Sequence, residues 1–211
     1  MRIAILIFDG LTALDAVGPY EVLSRLPGAS VTLLGLEAGP KRTDNGMLAL
    51  HADRSLSELT APDVVVVPGG LGTRPLLRDE RLLSWLRAAH ETSTWTTSVC
   101  TGSLLLAAAG LLDETDATTH WLELETLRAL GARPVEERVV ERGKLITAAG
   151  VSAGIDMALL LAARIAGETT ARAIQLAMEY DPQPPFDSGS PAKAGPELVA
   201  LVRDRGRARL A

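Results

Sequence analysis

Apolar residues run unbroken from Ile3 to Phe8 and stop at Asp9-Gly10, the pattern of a strand buried on both faces and closed by a turn. Helical spacing follows over 13–26, ended by Pro27-Gly28, and a second strand reads over 30–36. Asn45-Gly46, between two short strand-like segments, signals a hairpin. Val64 to Val67 is a further buried strand, cut by Pro68-Gly69-Gly70. The pattern then predicts a helix over 80–91, a strand over 95–99, and a small-residue-rich helix over 102–110 that ends in glycine.

The second half keeps this alternation. A helix is predicted over 119–130, then an antiparallel pair over 135–140 and 144–148 around Arg142-Gly143. A buried helix reads over 152–166, with another after Gly167 to about 178. Residues 180–191 are rich in Pro, Gly and Asp and read as irregular. Pro196, suited to a first helical position, opens a closing helix over 196–210. No repeat or linker divides the chain. Residues 1–211 therefore read as one α/β domain, a flavodoxin-like sandwich with a mainly parallel central sheet flanked by helices, plus a small antiparallel hairpin. Ligands in such sheets sit beyond the carboxyl ends of the strands, so the segments to inspect are 9–15, 68–72 and 100–103.

Composition narrows the partner classes. With 47% hydrophobic and 22% charged residues among 211, the chain can bury a sizeable core and is not a disordered protein. A net charge of −5 leaves no excess positive field for a phosphate backbone, so no nucleic-acid partner is expected. Cys100 is the single cysteine, which excludes an internal disulfide and a cysteine-rich zinc site. His51, His90 and His120 are scattered without i, i+4 pairing, so no metal is expected. The first apolar run is too short for a signal peptide and the run over 104–112 too short for a membrane span; a cytoplasmic location is expected.

The candidate chemistry gathers on three turns. Cys100 stands between a strand and a helix, where unpaired N–H groups at the helix start favour a thiolate. The N–H groups of Thr101 and its neighbours are placed to receive developing negative charge, and Gly102 allows a tight turn. A small buried hydrophobe is the ordinary state of a free cysteine, and the turn context favours the reactive reading. Gly69 and Gly70 follow a buried strand and are candidates for an oxyanion pocket, with a plain tight turn as the alternative. Asp15 is either a first-turn carboxylate favoured by the helix dipole or an acid facing a thiol from a neighbouring strand.

Other signals are weaker. Gly150-Val151-Ser152-Ala153-Gly154 matches G-x-S-x-G, yet all three histidines precede Ser152, the reverse of the hydrolase chain order. Ser152 reads instead as a helix cap or packing residue. His120 is weighed evenly between an orienter of Cys100 and a structural histidine. Segment 180–191 is either turn chemistry or a cover for the site or an interface. The basic end from Arg203 to Arg209 reads as solvated.

Residues 3–19, the Pro68-Gly69-Gly70 turn and Val99-Cys100-Thr101-Gly102 resemble the PfpI-type group of the class I glutamine amidotransferase-like superfamily, over nearly the whole chain. Ala117-Thr118-Thr119-His120-Trp121 and the Pro-rich segment 179–191 resemble its isocyanide-hydrating branch, which also carries an aspartate where many members have a glutamate. The resemblance implies Cys100 as nucleophile, Asp15 as its acidic partner, Thr101 lining the pocket, and Gly69 and Gly70 in an anion-stabilising turn. It implies hydration of a small neutral isocyanide to an N-substituted formamide through a covalent thioimidate, without a cofactor, in a homodimer. Rival readings are a glyoxalase-, deglycase- or amidase-like relative, a redox sensor built on Cys100, or a regulator. Relatives of the last kind carry a C-terminal DNA-binding module, and the end at Ala211 is expected to leave no room for one.

Overall fold

The structure is a computed structural model that describes residues 1–210. Eleven strands occur in it: β1 (Arg2–Leu6), β2 (Ser30–Gly35), β3 (Gly39–Arg42), β4 (Ala49–Ala52), β5 (Arg54–Ser55), β6 (Val64–Val67), β7 (Trp95–Val99), β8 (Asp116–Ala117), β9 (Arg133–Pro134), β10 (Val139–Arg142) and β11 (Leu145–Ala148). The helices are α1 (Ala13–Leu23), α2 (Thr73–Leu76), α3 (Glu80–Thr92), α4 (Gly102–Ala108), α5 (Leu124–Ala129), α6 (Ala153–Ala166), α7 (Glu168–Ala177), α8 (Pro191–Ala194) and α9 (Pro196–Leu210).

Seven strands form the central sheet in the order β10-β11-β7-β6-β1-β2-β5, parallel throughout except for the antiparallel β10–β11 edge. The small hairpin is β3–β4, turned at Asn45-Gly46, and β8–β9 is a short parallel pair. The middle strands are apolar on both faces because helices cover both: Ile3, Ile5, Val64, Val66 and Val99 are all fully buried. The order also sets β1, β6 and β7 side by side, so the turns after them open at one place on the carboxyl edge.

Close approach of backbone draws these turns together. A Cβ on Gly102 would lie 2.0 Å from the Val67 carbonyl oxygen, and one on Gly69 would lie 2.5 Å from the Thr101 nitrogen. Neither position tolerates a side chain. On the far face, α1 lies against α6, with Gly18 beside Ile155 and Gly154 between Val99 and Pro19.

Several boundaries differ from the sequence expectation. The first helix ends at Leu23, short of 26, and the second hairpin begins at Val139 rather than 135, the Val135 N–H donating instead to the Ala117 carbonyl of β8 at 2.9 Å. The helix expected over 119–130 is shorter, with a 3-10 turn at Trp121–Glu123 and an α-helix only from Leu124. Thr118 and Thr119 precede it, fully buried. Thr119 Oγ1 donates to the Cys100 carbonyl at 2.9 Å, which draws this stretch to the site. Ser152 stands at the N-cap of α6, but its hydroxyl makes no capping bond and instead accepts from Arg138 Nη2 at 3.2 Å.

Candidate active site

Cys100 sits in the left-handed backbone region, φ 56°, which is unfavourable for any residue with a Cβ. Such strain costs about 1–3 kcal/mol and persists only where surrounding bonds fix it. Here its N–H donates to the carbonyls of Ala148 and Ala149, both at 3.0 Å, and its carbonyl accepts from Ser103 Oγ as well as Thr119. The turn therefore aims the sulfur away from the strand, where the N–H groups of Thr101 and Val151 donate toward it.

Asp15, one turn into α1, is fully buried. Its Oδ2 accepts from the Gly69 N–H at 2.9 Å. Its Oδ1 meets no donor in full hydrogen-bonding geometry, yet the carboxyl and the Cys100 thiol lie close enough to shift each other's ionisation. Burial pushes the Asp15 carboxyl up to about 7, against the lowering effect of the Gly69 N–H. Burial, and then the Asp15 charge, push the Cys100 thiol up as well, outweighing the Thr101 and Val151 N–H groups. The thiolate-favouring effect expected of the turn is thus opposed by burial and by the Asp15 carboxyl that faces the sulfur.

The glycine turn is also placed differently from the expectation. Gly69 gives its N–H to Asp15, and Gly70 gives its own to Thr101 Oγ1 at 2.9 Å. Neither N–H is free to receive an oxyanion. The turn instead locks the acid and Thr101, whose hydroxyl is also within 3.2 Å of the Gly70 carbonyl. The N–H pair that faces the Cys100 sulfur comes from Thr101 and Val151. Sequence reading missed Val151; only its own left-handed φ of 40°, after the β11 edge, turns its N–H inward.

A cavity of about 420 Å³ opens over the sulfur and is lined by Gly70, Cys100, Thr101, His120, Leu122 and Val151, with Arg74, Glu123 and Arg203 among its polar wall residues. His120 Nδ1 accepts from the Leu122 N–H at 3.3 Å, and its ring stacks on Trp121. Burial lowers its proton affinity, leaving a neutral ring with Nε2 as donor. It shares the cavity with Cys100 but does not contact the Asp15–Cys100 pair through any hydrogen bond. Arg74 pairs with Glu123 and reaches the Gly70 carbonyl at 3.2 Å.

The outlying candidates fall elsewhere. Residues 181–189 are exposed and do not line the cavity, whereas Arg203, from the basic end read as solvated, does. The side chains of Arg207 and Arg209 lie outside the described residues. Among the described residues, no group of three His, Cys, Asp or Glu side chains is arranged to hold a metal ion.

A mainly parallel α/β sheet that presents a cysteine on a strained strand-to-helix turn, facing a buried carboxyl, defines a recognisable class. The chain belongs to the DJ-1/PfpI family, whose model matches residues 1–164. It is 44% identical to an isonitrile hydratase of Pseudomonas putida, over 97% of this chain and 90% of that protein. A crystal structure of a ThiJ/PfpI family protein from Pseudomonas syringae superposes with a TM-score of 0.88 at 37% identity, covering 99% of this chain and 89% of that one. The HTH-type transcriptional regulator CdhR of Pseudomonas aeruginosa is 32% identical over 76% of this chain, which spans 48% of that longer protein.

Proposed function

We propose that this protein hydrates isocyanides to N-substituted formamides, with Cys100 as nucleophile and Asp15 as acid and base. The observation that carries the reading is the buried Asp15–Cys100 pair beneath an open cavity. Near-full-length identity to the Pseudomonas putida isonitrile hydratase supports the substrate class.

The chemistry balances without a cofactor. Ionised Asp15 takes the Cys100 proton as the sulfur attacks the terminal isocyanide carbon, forming the C–S bond. Asp15 returns that proton to the same carbon, giving an S-linked thioimidate. Water then adds to the thioimidate carbon: Asp15 takes one water proton and passes it to the nitrogen, leaving a tetrahedral carbon that bears the hydroxyl and the sulfur. The C–S bond breaks with its electron pair leaving on sulfur, and Asp15 carries the hydroxyl proton to the thiolate. One water is consumed; the formamide leaves, and the thiol and carboxylate are restored. A pKa near 7 suits Asp15 to both proton transfers at neutral pH. The Thr101 and Val151 N–H groups stabilise the sulfur while it carries charge, and the neutral cavity partner His120 offers Nε2–H to the substrate nitrogen.

The test is direct: purified protein with cyclohexyl isocyanide yields N-cyclohexylformamide, and Cys100→Ala does not. Consumption of an α-oxoaldehyde in place of the isocyanide would select the glyoxalase-like relative. The likeness to CdhR favours a second, regulatory reading of the same domain; it predicts ligand binding in the cavity without turnover. We also propose a cytoplasmic homodimer, and light scattering of the purified protein checks the dimer.

A further inference from the structure

The family model matches residues 1–164, yet the cavity wall includes Arg203 and Gly206 of α9, far outside that span. The contacts there are specific. The Arg203 guanidinium carbon lies over the Trp121 ring, 5.3 Å from its centre, a cation–π contact. At Gly206 the helix runs so close that an added Cβ would stand 3.2 Å from Leu122 Cδ1. Trp121 and Leu122 belong to the 3-10 turn that starts at His120, whose Nδ1 accepts the Leu122 N–H. His120 and Leu122 also line the cavity that opens over Cys100. The closing helix therefore lines the cavity itself and also braces the turn beside it.

We propose that α9 is a specificity-determining wall: by clamping the 120–123 turn through Arg203 and Gly206, it limits the width of the N-substituent that reaches Cys100. The favoured substrates are isocyanides with a narrow, neutral, apolar substituent that lies along Leu122. The clamp works through shape. Arg203 acts as a flat plate on an indole, a role that a lysine ammonium does not fill. Rests on the hydratase reading only the identity of the substrate; the wall itself bounds access to any reagent that attacks the thiol.

The experiment compares wild type with Leu122→Ala, Arg203→Ala and Arg203→Lys in two reactions at Cys100. One is kcat/KM for 2-naphthyl against n-butyl isocyanide. The other is the rate of Cys100 alkylation by N-(1-pyrenyl)maleimide against N-ethylmaleimide, followed by intact mass. The wide-to-narrow ratio is expected to rise about ten-fold in Leu122→Ala, the size of effect that small changes in an apolar pocket produce. Both Arg203 variants are expected to shift it in the same direction by about three-fold, Lys behaving as Ala. If wild type turns over neither isocyanide but the alkylation ratios shift, the wall stands and the hydratase reading fails. Ratios within about two-fold of wild type in whichever reaction proceeds, an Arg203→Lys variant that matches wild type, or a thiol that neither the isocyanides nor the maleimides reach would each overturn the proposal.

Discussion

Asp15 and Cys100 face each other beneath the carboxyl edge of the sheet, and burial raises the proton affinity of both. Burial favours the protonated thiol, and a carboxyl pushed up to about 7 is poised to exchange its proton near neutral pH. Under the proposed mechanism the pair exchanges a proton: the ionised acid draws it from sulfur as the C–S bond forms, in place of a standing thiolate.

Replacing Asp15 by Asn keeps the acceptor for the Gly69 N–H and removes the proton exchange. Turnover is expected to fall by about 10²–10⁴-fold, the usual worth of a general acid–base group, with circular dichroism unchanged. Retained activity would remove Asp15 from the chemistry.

The pH profile follows from the same carboxyl. Attack needs ionised Asp15, so kcat/KM should rise with pH through an apparent value of about 7. That limb should vanish in Asp15→Asn; a profile flat from pH 5 to 8 in wild type would contradict the assignment.

Stability should move in the opposite sense. The Asp15 carboxyl goes from 3.8 in its ordinary state to about 7 in the fold, so the fold favours its protonated form. Its stabilising contribution is complete below pH 3.8 and is lost as pH rises to about 7. Asp15→Asn should match wild type in urea denaturation at low pH and exceed it at pH 8, by on the order of 4 kcal/mol.

Gly69→Ala tests the backbone contact that joins two of the turns. Its Cβ would lie 2.5 Å from the Thr101 nitrogen and 2.9 Å from the Cys100 Cβ, both held by their own bonds. A loss of about 1–3 kcal/mol in thermal or urea unfolding is expected, with kcat falling as Asp15 loses its place.

Thr101→Val removes the hydroxyl that accepts the Gly70 N–H and leaves that buried donor unpaired. The expected destabilisation is about 1–3 kcal/mol. Activity should fall less than in Asp15→Asn, because Val still supplies the N–H that faces the sulfur.

Much of this was legible in the chain. The run from Ile3 to Phe8 and the four valines at 64–67 are apolar because the sheet is covered on both faces, and period and composition report that burial. Cys100 before Thr101-Gly102 is local turn chemistry, so its place at the end of β7 could be read directly. What escaped depends on distant contacts. Which atom takes the Gly69 and Gly70 N–H groups is decided by Asp15 and Thr101, residues 54 and 31 positions away. Val151 has no sequence signal for a left-handed φ, and its N–H reaches the sulfur only because β11 pairs with β7. Arg203 looked like a solvated charge because charge patterning ignores an indole that arrives from 82 positions earlier in the chain (203 − 121).

The central claim is that the isocyanide carbon becomes bonded to Cys100. Rapid-quench intact-mass analysis with cyclohexyl isocyanide, followed by peptide mapping, tests it most directly. The account predicts a transient gain of one isocyanide mass on the peptide carrying Cys100, formed and lost at rates compatible with formamide release and absent from Cys100→Ala. Formamide production at an undiminished rate by Cys100→Ala would contradict it.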